Sequence, residues 1–156
     1  KYTSKEDKPK GVGFAWYENG RKEIVWHFKD GKEHGLRTVW DINGKKKSEY
    51  HFKNGVKEGQ KLIWHKTGKK RGKGNFKNDK KEGLETYWYK NGNKEYTKHY
   101  KNNLLDGMVT EWYPSGKKKS TSHYKNGQEN GYRKEWDENG KLTFQGNFVG
   151  GNEEIK

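Results

Sequence analysis

Hydrophobic and aromatic residues alternate with polar ones along this chain at a period of two, and no stretch carries the spacing of an amphipathic helix. Leu36, Thr38 and Trp40 share one side of an extended segment, and Arg37, Val39 and Asp41 share the other. The next run sets Lys46, Ser48, Tyr50 and Phe52 against Lys47, Glu49 and His51. This alternation predicts short strands, over roughly 12–18 and 21–29 in the first unit. It places Trp40 and Phe52 on the same, more buried face. Rings stacked from hairpin to hairpin are then expected to supply most of the stability.

The pattern repeats. Gly11, Gly35, Gly59, Gly83, Gly107 and Gly131 follow one another at 24-residue intervals. Trp16, Trp40, Trp64, Trp88, Trp112 and Trp136 stand five residues after them. A second glycine position runs through Gly20, Gly44, Gly68, Gly92, Gly116 and Gly140, and a second aromatic one through Phe28, Phe52, Phe76, Tyr100, Tyr124 and Phe148. The first turn of each unit ends in Gly, mostly as Asn-Gly (Asn19-Gly20, Asn43-Gly44), which suits a type I′ hairpin with positive φ at both central residues. The second turn, such as Asp30-Gly31 or Asn102-Asn103, reads as looser and leads to the next repeat glycine.

These signals define an all-β chain: an elongated single-layer antiparallel meander of six 24-residue β-hairpin repeats, twisted as a ribbon. At about 10 Å per two strands, six repeats span roughly 60 Å. Residues 1–10 read as a polar N-terminal tail or cap, 11–151 as the array, and 152–156 as a C-terminal tail. Gly72 and Gly74 fall inside a predicted strand, so the third unit is expected to be the weakest and to bend or loosen.

Composition sharpens this picture. Only 26% of residues are apolar while 36% are charged, and the mean hydropathy is −1.57, which argues against a thick two-layer core. Seven Trp, ten Tyr and six Phe, regularly placed, separate the chain from disordered sequences of similar charge. The net charge of +14 comes mostly from Lys, with Arg only at 21, 37, 71 and 133. Solvated lysines primarily protect strand edges and turns, and attraction to an anionic partner comes second. The absence of Cys excludes disulfides and thiolate chemistry. No apolar run approaches the roughly 20 residues of a membrane-spanning helix. Because the chain starts at Lys1, an upstream export signal is one candidate for a missing segment, so a periplasmic, surface or secreted location is expected over a cytoplasmic one.

The unit from Gly107 to Gly127, GMVTEWYPSGKKKSTSHYKNG, resembles the MORN repeat variant found in bacterial proteins labelled YwqK-type antitoxins. The resemblance covers residues 11–151. It implies a meander of hairpins used for protein contacts or, in some relatives, for proposed contacts with lipid headgroups.

Candidate chemistry is sparse. His27, His51, His99 and His123 share one repeat position, but neighbours about 10 Å apart cannot converge on one metal ion, so they read as polar surface residues. Glu33, Glu58, Glu82, Asp106 and Glu129 recur near the turn before the repeat glycine, which points to turn chemistry rather than a carboxylate pair. No nucleophile elbow or phosphate-binding loop is present, so neither catalysis nor a cofactor is expected. Two sets of residues are candidates for binding. Tyr17, Val39, Ile63, Tyr87, Tyr89 and Tyr113 vary between repeats and are expected together on the face opposite Trp, as a protein-binding surface. Lys29, Lys53, Lys77, Lys101 and Lys125 form a stripe for an acidic protein, an anionic lipid or a glycan. A second lysine position comprises Lys22, Lys46, Lys70, Lys94 and Lys118. Nucleic acid is the disfavoured partner, because the rings beside the lysines are assigned to the scaffold. Self-association through the end strands is the remaining option.

Overall fold

A computed structural model describes residues 10–154. The first hairpin pairs β1 (Gly11–Trp16) with β2 (Lys22–Lys29). It is followed by β3 (Lys32–Glu33), β4 (Gly35–Trp40) and β5 (Lys46–Lys53), then β6 (Val56–Trp64) and β7 (Lys70–Lys77). The second half repeats the scheme with β8 (Lys80–Lys81), β9 (Gly83–Trp88), β10 (Lys94–Lys101), β11 (Leu104–Trp112) and β12 (Lys118–Lys125). It closes with β13 (Gln128–Glu129), β14 (Gly131–Trp136), β15 (Leu142–Val149) and β16 (Asn152–Glu153). All belong to one antiparallel sheet whose strands follow chain order. The expected meander is therefore the observed fold. Residues 152–153, expected in the C-terminal tail, pair with Val149 and Phe148 and extend the sheet. The N-terminal tail, 1–10, lies outside the described residues except for Lys10.

The two turns have exchanged roles relative to expectation. In the Asn-Gly turns only glycine has positive φ, as at Gly20 (78°) and Gly44 (81°). Gly20 N–H donates to Tyr17 C=O and Tyr17 N–H to Arg21 C=O, so this is a type I turn closed by a glycine in the left-handed region, the three-residue hairpin loop. The second turn is the two-residue type I′ turn: Asp30 and Gly31, Asn54 and Gly55, and Asn102 and Asn103 have positive φ at both central positions. Lys29 faces Lys32 across it.

Turn length also sets the faces. Gly35 lies opposite Phe52, Arg37 opposite Tyr50 and Val39 opposite Ser48. Even-numbered residues of β5 thus share a side with odd-numbered residues of β4, and alternation within a strand cannot be carried across the turn. Trp40 and Phe52 are consequently on opposite faces, contrary to expectation. One surface, the Trp face, carries the Trp, His and Thr38 positions. The other, the Phe face, carries Phe52, Tyr50, Arg37 and their equivalents.

The layer is thin. Phe52 and Val109 are the buried hydrophobics among the described residues. The expected hairpin-to-hairpin ring ladder is mostly replaced by cations between rings. Tyr50 and Phe76 do meet across hairpins, with centroids 6.2 Å apart. Elsewhere Lys46 lies over Trp64, Lys94 over Trp112, Lys61 over Phe76 and Tyr87, and Arg37 over Phe52. Such contacts contribute about 0.5–1 kcal/mol each when exposed and more when desolvated. The glycines of β7 do not loosen it: its pairing to β6 runs unbroken from Gly59–Phe76 to Ile63–Gly72. A Cβ on Gly72 would sit 2.8 Å from the Tyr87 ring, and one on Gly74 3.3 Å from Glu85 Cγ. Both glycines hold space for side chains of the next hairpin.

Both edges of the sheet are tied from repeat to repeat. At the three-residue turns, the hydroxyls of Tyr17, Tyr89 and Tyr113 donate to the carbonyls of Trp40, Trp112 and Trp136, each at 2.9 Å. At the two-residue turns, Gly55, Asp79, Asn103 and Gly127 N–H donate to Glu33, Lys57, Lys81 and Leu105 carbonyls of the preceding unit. Asn103 and Asp79 add side-chain bonds, their Oδ1 atoms accepting Lys81 N–H at 2.6 Å and Lys57 N–H at 2.8 Å. Asn103→Ala removes that acceptor and puts an alanine at φ 72°, and should cost about 2 kcal/mol in urea unfolding. Asn103→Gly removes the acceptor alone and should cost clearly less; equal costs would show that the backbone conformation contributes nothing.

Candidate functional site

The hydrogen-bond pattern accounts for most of the polar residues that invite a chemical reading. Nδ1 of His27, His51, His99 and His123 contacts the carbonyl nine residues on, at 2.7–3.3 Å. Since a carbonyl only accepts, that ring nitrogen carries the proton. Each ring also covers a repeat glycine: a Cβ on Gly35, Gly107 or Gly131 would lie 3.1–3.3 Å from the histidine Cβ. The glycine is needed there both for its φ, 110–121° at these three positions, and for that close approach.

The acids divide into two groups. Glu58, Glu82 and Asp106 reach across to the next two-residue turn and accept the backbone N–H of Asn78, Asn102 and Asn126. The Asn126 N–H, with Lys125 alongside, holds the Asp106 carboxyl below its ordinary pKa. Glu33 and Glu129 instead lie on the Phe face, paired with Arg37 and Arg133.

The Phe face is a web of charges among rings. Lys61 and Glu85 are 6% and 4% exposed, and Lys61 Nζ donates to Glu85 Oε1 at 2.9 Å. Burial pulls the Lys61 ammonium down, but hydrogen bonding to Tyr87 and Glu85 outweighs it and raises its pKa. Burial likewise pushes the Tyr96 hydroxyl well up, its ring stacked on Tyr87 at 4.8 Å.

The six residues expected to share a protein-binding face do not. Val39, Ile63 and Tyr87 are half-buried on the Phe face, opposite Ser48, Gly72 and, for Tyr87, Tyr96. Tyr17, Tyr89 and Tyr113 lie past the strand ends, half-buried, with their hydroxyls committed to the next repeat. The five lysines of the stripe fall along one edge. Lys29, Lys53, Lys77, Lys101 and Lys125 each end a strand and are exposed, along the edge of the two-residue turns. Alternation from the Phe position puts them on the Trp face. Lys125 pairs with Asp106 at 3.3 Å; the other four make no ion pair among the described residues.

A surface not singled out from the sequence lies on the Trp face. Val12, Leu84, Met108 and Tyr132, all exposed and the last 60% so, occupy one repeat position. Phe14 and the 54%-exposed Trp16 stand beside Val12 on β1, and Leu104, Leu142 and Val149 lie on the same face in β11 and β15. Of the ten exposed large hydrophobics among the described residues, Ile42 in a three-residue turn is the exception to this placement. The signal was available, because position 12 of the repeat varies through Val12, Leu36, Gln60, Leu84, Met108 and Tyr132. The face assignment that makes it meaningful depends on turn length.

The sequence profile of the MORN repeat variant family matches residues 33–54, 57–78, 81–102, 105–126 and 129–149. The chain belongs to this family. The first hairpin is outside the matches yet repeats the same pairing register, from Gly11–Phe28 to Trp16–Lys22. MORN repeats are in general interaction modules for proteins or membranes, and the repeat type is non-catalytic. No curated protein matches the chain.

The buried pair yields a direct test. Lys61→Met leaves the Glu85 carboxylate buried with Lys81, 3.3 Å away, as its remaining partner, and should cost about 3 kcal/mol. Combining it with Glu85→Leu should recover most of that loss in the same denaturation measurement. In the wild type the pair's contribution is complete below the ordinary lysine pKa of 10.5 and is lost as pH rises through the raised folded value.

Proposed function

We propose that this chain is a non-catalytic scaffold that binds another protein through its Trp face, in an antitoxin-like, immunity-like or secreted-surface role. The observation that carries this reading is the segregation of exposed apolar side chains onto that face, beside an exposed lysine edge. A monomeric surface rarely gathers apolar groups on one side without a partner. The arrangement suits a protein whose contact surface is apolar at its centre and acidic along one rim. The backbone positions beneath are tied by hydrogen bonds, so the face is rigid before binding, which lowers the ordering cost of association.

Changing Leu84, Met108 and Tyr132 together to Ser should leave folding intact, because all three are exposed. It should weaken capture of the partner from the source organism by about 10-fold or more. Equal recovery of the same partner by wild type and variant would place the contact elsewhere. The antitoxin version requires that co-expression with a toxin encoded alongside restores growth, and lack of protection ends that version.

A second reading, an anionic membrane surface or polyanionic glycan, is favoured by the four lysines of the stripe that make no ion pair among the described residues. Binding to phosphatidylserine vesicles or heparin should then fall steeply between low and moderate salt. Replacing Lys29, Lys53, Lys77, Lys101 and Lys125 with Gln should abolish it. Salt-insensitive binding that survives those substitutions rules the stripe out.

A further inference from the structure

Among the strands of the described residues, β1 (GVGFAW) and β15 (LTFQGNFV) are the two without a charged side chain. Apart from the two-residue β16, they are also the strands that bound the sheet at its two ends. This inverts the usual protection of an edge, where charges keep a second chain from pairing. Leu142 and Val149 stand where the other five units carry lysine, as at Lys46 and Lys53. Half of the ten exposed large hydrophobics among the described residues sit on these two strands, as Val12, Phe14, Trp16, Leu142 and Val149. Inside the ribbon the Phe14 position is occupied by Thr38 and Thr110, 6% and 5% exposed, because a strand lies on either side; Phe14 is 49% exposed.

The two edges fit one another in the register used inside the ribbon. Asn147 C=O accepts Glu154 N–H, so Gln145, two residues back, also turns its N–H and C=O outward from β15. Leu36 C=O faces His27 of the preceding hairpin; the equivalent Val12, and with it Phe14, turns its own groups to the open side of β1. Where one hairpin meets the next, Val25 pairs with Thr38 and Thr121 with Lys134. The same step, taken from the last hairpin, sets Gln145 against Phe14 of a second copy. Lys46 and Lys94 lie over Trp64 and Trp112 of the following hairpin, and that offset brings Leu142 to Trp16 of the second copy. The last three-residue turn is equipped like the second one. Asn139 and Lys141 N–H donate to Asp137 Oδ1, as Asn43 and Lys45 N–H do to Asp41 Oδ1. Lys45 Nζ then reaches across to Lys66 C=O at 2.9 Å; for Lys141 the equivalent acceptor is Glu18 C=O of the second copy.

We infer that this chain associates head to tail with copies of itself, β15 of one pairing with β1 of the next as a seventh hairpin would. The contact uses a different surface on each molecule, so it does not close and builds a ribbon of growing length. Leu84, Met108 and Tyr132, between the two ends, stay exposed in such a ribbon, so this inference stands or falls separately from the Trp-face reading.

Sedimentation equilibrium of the whole chain should show a mean mass that rises without a plateau between about 10 µM and 1 mM, as suits a contact of small area. Gln145→Pro and Phe14→Pro each remove one outward N–H and leave the inner pairing of the strand in place, which an edge strand tolerates. Either variant alone should stay monomeric, and an equimolar mixture should form a dimer that grows no further. A second measurement uses the absence of Cys from the chain. Mild oxidation of the double variant F14C/Q145C should yield a ladder of disulfide-linked multimers, because directly paired strand residues lie within disulfide reach. Each single Cys variant should yield none. The inference is overturned by a chain that is still monomeric at about 1 mM, by proline variants that self-associate, by a mixture that gives no dimer, or by cross-linking of either single variant.

Discussion

No hairpin of this chain has a core of its own, and the structure depends on hydrogen bonds and side-chain contacts that reach about one repeat ahead. An isolated two-stranded hairpin is marginal in water, and here even the assembled sheet contains no fully buried large side chain among the described residues. The hydroxyl of Tyr17 and the backbone N–H of Gly55 both act between units, along opposite edges of the ribbon. Once both edges are fixed, the strands between them have one register. Positions that look like candidate chemistry, the histidines, the turn acids and three of the tyrosines, are part of this fastening.

The same constraint explains why so basic a chain folds. Between rings of neighbouring hairpins a lysine stem packs along the sheet with its ammonium over the next ring. Lys57 illustrates this: its ammonium lies 5.5 Å from the Tyr50 ring and 5.3 Å from Phe76. Some of the charge that composition assigns to solubility is packing material. Where the lysines engage no ring or carboxylate among the described residues, as along the edge from Lys29 to Lys101, their charge faces solvent.

Period, strand order and single-layer architecture were legible in the sequence because each is written six times, and the agreement of Gly11 through Gly131 leaves little freedom. What was not legible depended on counting residues across turns. Asn-Gly read as a type I′ turn, whereas the N–H of Gly20 bonds Tyr17 and makes a longer loop. That one difference moves Phe52 to the opposite side from Trp40, and with it every inference about which residues share a surface. Tyr89 and Val39, assigned together from their variability, are in fact a clamp and a half-buried contact. Gly74 was read as weakness because a sequence shows the missing side chain but not Glu85, which fills its place.

Variability between repeats therefore has two meanings that only the faces separate. On the Phe face a change at one position is answered by its neighbours: Gly74 is accompanied by the Lys61–Glu85 pair, and Gly13 by the Trp26 ring. Such substitutions exchange one way of filling a row for another and leave the scaffold equivalent. At position 12 on the Trp face, Val12, Leu84, Met108 and Tyr132 differ in size and shape, yet each stays exposed with nothing in the sheet compensating. Packing within the chain does not require those differences. On the reading proposed above, these exposed apolar side chains are the ones that meet a partner, and the differences among them set which partner fits.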